Sequence, residues 1–212
     1  MNYNCSEKTL DFLTKEGIEI HFASNHLGHY LLTQKLLNYF RPNGRIVIVS
    51  SGLYKNATAI PSYEDLTSLA AVEQLSPALH YSISKLANCL HAVYLDEFLK
   101  TSTDNDSIKS LKVVSLRPGF VRGTELGRHV PWILRTLASP VIWLFSINLD
   151  QGTETILHCA TTEYENLESG KLYSECKVAP YTEAVTSGAA KQLHELSEKL
   201  LEYGRQNAAA EN

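Results

Sequence analysis

The stretch "GRIVIVSS", residues 44–51, is a continuous run of isoleucine and valine bounded by glycine and serine. Such a run is typical of a strand that is buried on both faces in a parallel sheet. Residues 111–119, "LKVVSLRPG", have the same character. Between them, apolar residues recur at three- and four-residue steps along residues 80–100, which predicts an amphipathic helix. A strand, a helix and a strand in this order form a βαβ unit with a right-handed crossover.

The segments around this unit extend the same α/β pattern. Residues 18–40 have helical apolar spacing and stop at the turn signal "RPNG". Residues 52–79 are expected to be irregular. "GKLYSE", which begins at Gly170, is compatible with a third short strand, and residues 188–203 with a closing amphipathic helix.

Composition limits the size of the fold and its partners. Of the 212 residues, 44% are hydrophobic, which is enough for one sizeable core. We therefore predict one domain over residues 1–204 and a polar tail over residues 205–212. The net charge of −4 comes from mixed signs without a basic run, so nucleic acid is not an expected partner.

Cysteine and histidine usage indicates a reduced, metal-free chain. The polar, acidic start does not have the pattern of a secretory signal, and the four cysteines are widely scattered. His26 and His29 lie three residues apart with no third ligand nearby, so no metal site is expected. The predicted location is intracellular, in the cytoplasm or on the surface of an internal membrane.

The predicted helix begins with a tyrosine and a lysine four residues apart. Four residues are slightly more than one helical turn, so Tyr81 and Lys85 lie on one face. Pairs of this kind also occur by chance on many helices. However, open α/β sheets bind ligands at the carboxyl ends of their strands. Ser50, Ser51 and the loop "RPGFVRGTEL", residues 117–126, follow the two predicted strands at that edge.

In combination these segments resemble the short-chain dehydrogenase/reductase family, and within it the retinol-dehydrogenase-like branch. The resemblance extends over nearly the whole chain and implies a Rossmann-like parallel sheet flanked by helices. The segments that support it occur in the family's order and spacing: "SNHLGHYLLTQKLL", "GRIVIVSS", "YSISKLAN", "RPGFVRGTELGRH" and "GKLYSECK".

The resemblance implies a catalytic role for four residues. Tyr81 would be the general acid/base, and the ammonium of Lys85 would favour its phenolate form and bind the nicotinamide ribose. Ser51 matches the hydroxyl that orients the substrate, with Ser50 as the alternative. Asn25 matches the asparagine that anchors a water linking the lysine to solvent. Each residue also has a structural alternative, because Asn25 could simply bend its helix and the serines could simply end a strand.

The loop after the second strand resembles the segment that contacts the nicotinamide. Pro118, Gly119, Val121 and Thr124 match its cofactor-binding positions, although Pro118–Gly119 could also be an ordinary turn. The loop has one residue more than the usual pattern. Gly123 is the candidate for the insertion, which makes the match of Thr124 less direct.

One departure from the family is large. The glycine-rich strand, turn and helix that receive the pyrophosphate have no counterpart in the sequence, so the chain resembles a family member without its first strands. The expected function is hydride transfer between a nicotinamide cofactor, NADP(H) in preference to NAD(H), and a hydrophobic alcohol or carbonyl compound such as a retinoid, steroid or lipid aldehyde. The alternative is a catalytically inactive truncated form that acts by contact with a full-length relative.

Two further surfaces are predicted to meet partners. Residues 129–147, "HVPWILRTLASPVIWLFSI", contain an interrupted apolar run with two tryptophans, which suits peripheral membrane contact, a substrate lid or ordinary core helices. The first predicted strand would also be an open, apolar sheet edge able to pair with another chain.

Overall fold

The computed structural model describes residues 12–102, 106–118 and 149–210. Four strands form one sheet in the order β1-β2-β3-β4. They are β1 (Arg45–Val49), β2 (Lys112–Leu116), β3 (Leu172–Ser174) and β4 (Lys177–Ala179). The β1–β2 and β2–β3 pairs are parallel, and the β3–β4 pair is antiparallel. The three strands predicted from sequence are present, and the Rossmann-like α/β class is confirmed.

Strand β4 is an addition to the predicted sheet. It returns from β3 through a two-residue turn in which Glu175 and Cys176 have φ values of 53° and 59°. Two left-handed residues in a row are the geometry of the tight hairpin turn that matches strand twist. The residues that usually occupy this turn are asparagine and glycine, so the sequence contains no hairpin signal here.

Seven helices are found in the described ranges. They are α1 (Ile20–Phe22, then a π-helical turn at Ala23–Leu27 and an α-helical part at Gly28–Leu36), α2 (Tyr63–Thr67), α3 (Leu69–Val72), α4 (Pro77–Thr101), α5 (Asp106–Lys109), α6 (Leu149–Thr161) and α7 (Ser187–Ala210). The helices predicted over 18–40, 80–100 and 188–203 are therefore present. Helix α7 continues to Ala210, so most of the predicted polar tail is helical.

The segment 52–79 is more regular than predicted. It contains a 3-10 turn at Gly52–Asn56 and the short helices α2 and α3. Helix α2 begins with a capping box, in which Ser62 and Asp65 each accept a hydrogen bond from the other residue's backbone N–H. Reciprocal capping stabilises a single turn that apolar periodicity cannot reveal.

Helix α4 packs on one face of the sheet and α6 on the other. Adjacent residues of β2 show the two faces, since Val113 belongs to the apolar cluster beside α4 and Val114 to the cluster beside α6. Helices α1 and α7 pack against the far side of α4, around buried residues such as Phe22 and Leu90. The layers therefore hold α4 between the sheet and two further helices.

None of the helices in the described ranges is both long and apolar enough to cross a membrane. The apolar segment 129–147 lies outside the described residues, so the expectations for it are not addressed by these helices.

Candidate active site

Tyr81 and Lys85 lie in the first half of α4, next to the carboxyl end of β1. Ser76 caps the helix by accepting a hydrogen bond from the Leu79 N–H, and Pro77 occupies the first turn. Both side chains of the pair are half-buried, and Lys85 Nζ lies 5.6 Å from the centroid of the Tyr81 ring. The spacing deduced from the sequence therefore brings the ammonium beside the phenol ring.

Two hydrogen bonds attach this turn of α4 to the end of β1. Lys85 Nζ donates to the carbonyl oxygen of Val49 at 3.3 Å. The Ser50 hydroxyl donates to the backbone carbonyl of Lys85 at 2.8 Å. Burial lowers the pKa of Lys85, and the neighbouring Cys89 thiol partly opposes this effect. The ammonium is thus held at the strand end in surroundings that favour its deprotonation more than water does.

The structure separates the two candidate serines. Ser50 is 2% exposed, and besides donating to Lys85 it accepts a hydrogen bond from the Cys89 thiol at 3.2 Å. Ser51 is half-buried, and its hydroxyl accepts from the Leu53 N–H at 3.3 Å, which caps the following 3-10 turn. The Ser50 hydroxyl is therefore committed to the fold, whereas the Ser51 hydroxyl keeps its proton for another acceptor.

Asn25 lies in the π-helical turn of α1, facing α4. Its side-chain Nδ2 donates to the Ser84 hydroxyl at 3.1 Å, and that hydroxyl donates to the Tyr81 carbonyl at 2.7 Å. Its backbone carbonyl accepts from Asn88 Nδ2 at 3.1 Å, and the His29 ring nitrogen Nδ1 lies 3.1 Å away. The turn widens α1 where it contacts the helix of the tyrosine and lysine, and π-helical turns are frequent at functional sites.

Sequence reasoning missed Ser84 and Asn88 as members of this constellation. Both are buried within "YSISKLAN", and their contacts cross from α4 to α1 or β1. A polar residue in the middle of an apolar helical face was the available signal, because a buried amide must find hydrogen-bond partners. The identity of those partners depends on the π-helical turn, which the sequence pattern does not predict.

The cofactor-loop positions are only partly described. Pro118 follows Arg117, whose N–H donates to the Tyr173 carbonyl at 3.0 Å and so extends the parallel β2–β3 pairing to the sheet edge. Gly119, Val121 and Thr124 lie outside the described residues, as does Gly123. Pro118 is thus placed at the carboxyl end of β2, beside the strand end that bears Ser50 and Ser51.

The two histidines weighed as metal ligands make ordinary contacts. His26 is fully buried and its Nε2 lies 3.0 Å from the Ser197 hydroxyl of α7, whereas His29 is exposed. Within the described ranges, no cluster of three or more histidine, cysteine, aspartate or glutamate residues could hold a metal ion.

A second polar region lies between α1, α4 and α7. This three-helix cluster is defined by His26, Tyr30, His91, His194 and Glu198. The Tyr30 hydroxyl donates to Glu198 at 2.6 Å, so His194 Nδ1, also at 2.6 Å, must carry the proton and donate to it. Burial, assisted by His194, lowers the pKa of His91 to about 4, and burial holds the pKa of His26 well below its usual value. Burial therefore disfavours the charged form of both His26 and His91.

An open cavity of about 540 Å³ lies between the loop after Ser51 and the residues that follow β4. Its lining includes Lys55, Thr58, Tyr181 and Glu183 and contains none of the predicted site residues.

Comparison with known proteins extends the similarity over most of the chain. No protein-family model matches the chain. The chain is 34% identical over 193 residues to retinol dehydrogenase 14 of Mus musculus, which is 89% of this chain and 54% of that protein. It is 34% identical over 169 residues to polyprenol dehydrogenase of Homo sapiens, 76% of this chain and 48% of that protein. It is 31% identical over 198 residues to the chloroplastic short-chain dehydrogenase TIC 32 A of Brassica napus. This match covers 90% of this chain and 59% of that protein.

The chain spans about half the length of the curated relatives it matches. The matched part includes the parallel strands and the helix that bears Tyr81 and Lys85. Together, the sheet order, the tyrosine–lysine pair at the strand end and these relatives show that the chain belongs to the short-chain dehydrogenase/reductase family.

Proposed function

We propose that the chain provides the catalytic half of a nicotinamide-dependent oxidoreductase that interconverts hydrophobic alcohols and carbonyl compounds. The observation that supports this most directly is Lys85 Nζ at 5.6 Å from the Tyr81 ring centroid, beside the carboxyl end of β1. When bound, the nicotinamide supplies or accepts the hydride. The protein must hold the substrate oxygen and move one proton to or from it.

Tyr81 is the proposed proton carrier. In the reductive direction its hydroxyl gives a proton to the substrate oxygen, and in the oxidative direction its phenolate takes the hydroxyl proton. The ammonium of Lys85 stabilises the phenolate by charge. The Ser51 hydroxyl is the proposed donor that orients the substrate oxygen, and Asn25 is the proposed anchor for a water near Lys85.

The residues present fit the ribose and nicotinamide end of the cofactor. An ammonium has three N–H donors, and within the described residues one of them is used on the Val49 carbonyl. The other two can donate to ribose hydroxyls. Pro118 stands at the neighbouring strand end, and Gly119, Val121 and Thr124 are proposed to complete this part of the site. NADP(H) is proposed in preference to NAD(H).

A retinoid, steroid or lipid aldehyde is the proposed substrate class. Two of the relatives are named for hydrophobic alcohols, retinol and polyprenol, which supports this choice. We also propose that residues 129–147 contact a membrane surface, and that the protein works in the cytoplasm or on an internal membrane. The described cysteines, Cys89, Cys159 and Cys176, are free thiols, which suits a reducing compartment.

The alternative function is a protein contact made by a catalytically inactive form, and the edge of the sheet supports it. Within the described residues β1 pairs only with β2, and Val49 is 40% exposed. A strand edge of this kind can accept a strand from another chain. Residues 1–204 would then act as one domain that offers its edge to a full-length relative.

The two functions can be separated in one experiment. The 212-residue chain is titrated with NADPH and NADH while cofactor fluorescence is followed, and cofactor consumption is then measured with retinal. Its oligomeric state is measured by light scattering. Saturable cofactor binding with turnover by this chain would support the proposed oxidoreductase. A chain that binds neither cofactor and forms stable dimers or complexes with a relative would support the alternative instead.

The two serines give a matched pair of variants for the same assay. Ser51→Ala is expected to reduce turnover by about 10²–10³-fold, the usual cost of losing a hydrogen-bond donor to a reacting oxygen. Ser50→Ala should act mainly on stability because its hydroxyl is buried and bonded to Lys85 and Cys89. The reverse pattern would transfer the substrate-orienting role to Ser50.

A further inference from the structure

Asn88 lies one helical turn after Lys85 and contacts two other elements at once. Its side chain is buried, with 3% of the residue exposed. Its amide nitrogen Nδ2 donates to the Val49 carbonyl at 3.1 Å and to the Asn25 carbonyl at 3.1 Å. One buried amide therefore joins α4 to the end of β1 and to the π-helical turn of α1.

The Val49 carbonyl is shared between Asn88 and Lys85. Lys85 Nζ donates to it at 3.3 Å and Asn88 Nδ2 at 3.1 Å. A carbonyl oxygen has two lone pairs, so these two donors fill its capacity. The position of the Asn88 amide consequently restricts where the ammonium can lie. The titratable neighbours of Lys85 are the Cys89 thiol, which raises its pKa, and Tyr81, whose ring centroid lies 5.6 Å from Nζ.

The Asn88 amide also attaches α4 to α1, through its hydrogen bond to the Asn25 carbonyl. The Asn25 carbonyl has Asn88 Nδ2 and the His29 ring as neighbours, and the Asn25 side chain is directed to Ser84. Because Ser84 in turn donates to the Tyr81 carbonyl, the turn of α1 is attached to α4 both before and after Lys85.

We propose that Asn88 is a positioning residue that fixes Lys85 relative to the end of β1 and to Asn25. The inference rests on the proposed function, because it concerns the geometry of proton transfer through Tyr81. Asn88 makes no contact with the reacting atoms in this role. It acts by presenting two N–H donors, so an isosteric replacement that removes the donors while keeping the shape is the sharpest change.

The test is Asn88→Asp in the full 212-residue chain, with Ser82→Ala as the matched control. Ser82 is buried on the same helix, and its hydroxyl donates to the Ala78 carbonyl at 2.8 Å, away from the site. Lysines are labelled with trace acetic anhydride across a pH series, and each is quantified by mass spectrometry. Lys100, an exposed lysine that pairs with Asp96, serves as the internal standard.

A carboxylate at position 88 should hold the proton on Lys85. An opposite charge at this range raises a lysine pKa by one unit or more, so labelling of Lys85 at a given pH should fall about tenfold in Asn88→Asp. Labelling of Lys100 should not change, and Ser82→Ala should leave both lysines unchanged. Lys85 labelling that stays within about twofold of the parent in Asn88→Asp overturns the inference.

Activity provides the second readout. Where the parent chain turns over retinal, Asn88→Asp is expected to lower kcat about tenfold and to shift the pH profile, with KM nearly constant. A parent chain without turnover contradicts the proposed function of this chain, while the labelling result still decides the role of Asn88. Asn88→Ala is labelled in parallel, because it removes the two N–H donors without adding a charge and so separates positioning from the electrostatic effect of the carboxylate. An unaltered Lys85 labelling profile in that variant overturns the inference.

Discussion

Helix α4 has two regions that the fold surrounds in different ways. In its first half, Tyr81 and Lys85 are half-buried and lie at the end of a strand. In its second half, His91 is 3% exposed and lies among the rings of the three-helix cluster, 5.0 Å from Tyr30 and 5.7 Å from His26 between ring centroids. The same helix therefore supplies both a pair open to ligands and part of a closed polar interior.

Desolvation acts on both regions but has different consequences. It lowers the pKa of Lys85, and it lowers the pKa of His91 to about 4. Lys85 remains close to solvent and can exchange a proton with it, whereas His91 is kept neutral by its surroundings. Burial is therefore incomplete around Tyr81 and Lys85 and nearly complete around His91.

The prediction with the largest expected effect tests the chemical role of Tyr81 in the first half of α4. Tyr81→Phe keeps the ring and removes the transferable proton, so turnover of retinal should fall by about 10²–10⁴-fold with little change in stability. Tyr94→Phe is the matched control, because Tyr94 is on the same helix and stacks on His194, 4.1 Å between centroids. Steady-state rates decide the result, and equal rates for both variants would remove Tyr81 from the mechanism.

The second prediction concerns packing in the buried half. Leu90 is fully buried in the apolar core between α1, α4 and α7. Leu90→Ala should therefore lower the free energy of unfolding by about 2–5 kcal/mol. Leu53 is 48% exposed, and Leu53→Ala should change it by less than about 0.5 kcal/mol. Urea denaturation measures both. Similar values would mean that the second half of α4 is no better packed than the surface.

Acid should destabilise the protein through the second region. The pKa of His91 is about 4 when folded and 6.5 in the reference state, so above pH 6.5 it is neutral in both states. Between these values the unfolded chain binds a proton that the folded chain refuses, and stability falls by up to about 3 kcal/mol. Urea titrations at pH 7 and pH 4.5 measure this loss.

The matched variants for the acid effect are His91→Gln and His29→Gln. The first should make stability less dependent on pH in this window, because one of the two buried histidines with a lowered pKa is gone. The second replaces an exposed histidine and should leave the dependence as it is. An unchanged slope in His91→Gln would assign the acid sensitivity to other groups.

The smallest expected effect concerns Lys85. It has the same sign as the effect of His91, since stability again increases as pH rises, but it falls in an alkaline range. Its folded pKa is lowered by burial, so the cost of holding its charge is present at neutral pH and disappears as pH rises towards 10.5. The stability of the parent relative to Lys85→Met should therefore improve between pH 8 and 10.5. Because Lys85 is partly exposed, the change should be below about 1 kcal/mol. A decline over this range would show that burial does not disfavour the ammonium.

Sequence reasoning predicted the elements that depend on periodicity. The strands β1 and β2 and the helix between them follow from apolar runs and helical spacing, and Tyr81 and Lys85 follow from that spacing. It did not predict β4, because Glu175 and Cys176 adopt left-handed conformations without a glycine or asparagine. The ordered segment 52–79 was also missed, because its helices are too short to show apolar periodicity and α2 depends on a capping box.

Candidate site residues that share one element, such as Tyr81 and Lys85 on α4, could be predicted from the sequence. Contacts between different elements were harder to predict. Ser51 is preferred to Ser50 in the sequence because it lies just past the strand end and matches the family. The hydrogen bond from the Ser50 hydroxyl to α4 requires the packed structure. Asn88 could be recognised only as a buried polar residue. Its partners, Val49 and Asn25, come from two other elements that the sequence does not place within reach of one amide.

The π-helical turn at Ala23–Leu27 also sets the angular phase of α1. A residue in an α-helix advances by about 100° around the axis, so one residue accommodated in a wider turn rotates everything after it by that amount. Asn25 faces α4 before this offset takes full effect, and Tyr30 meets α7 after it. Deleting one residue from the turn would preserve the composition of α1 but would leave it able to satisfy only one of its two neighbouring helices at a time.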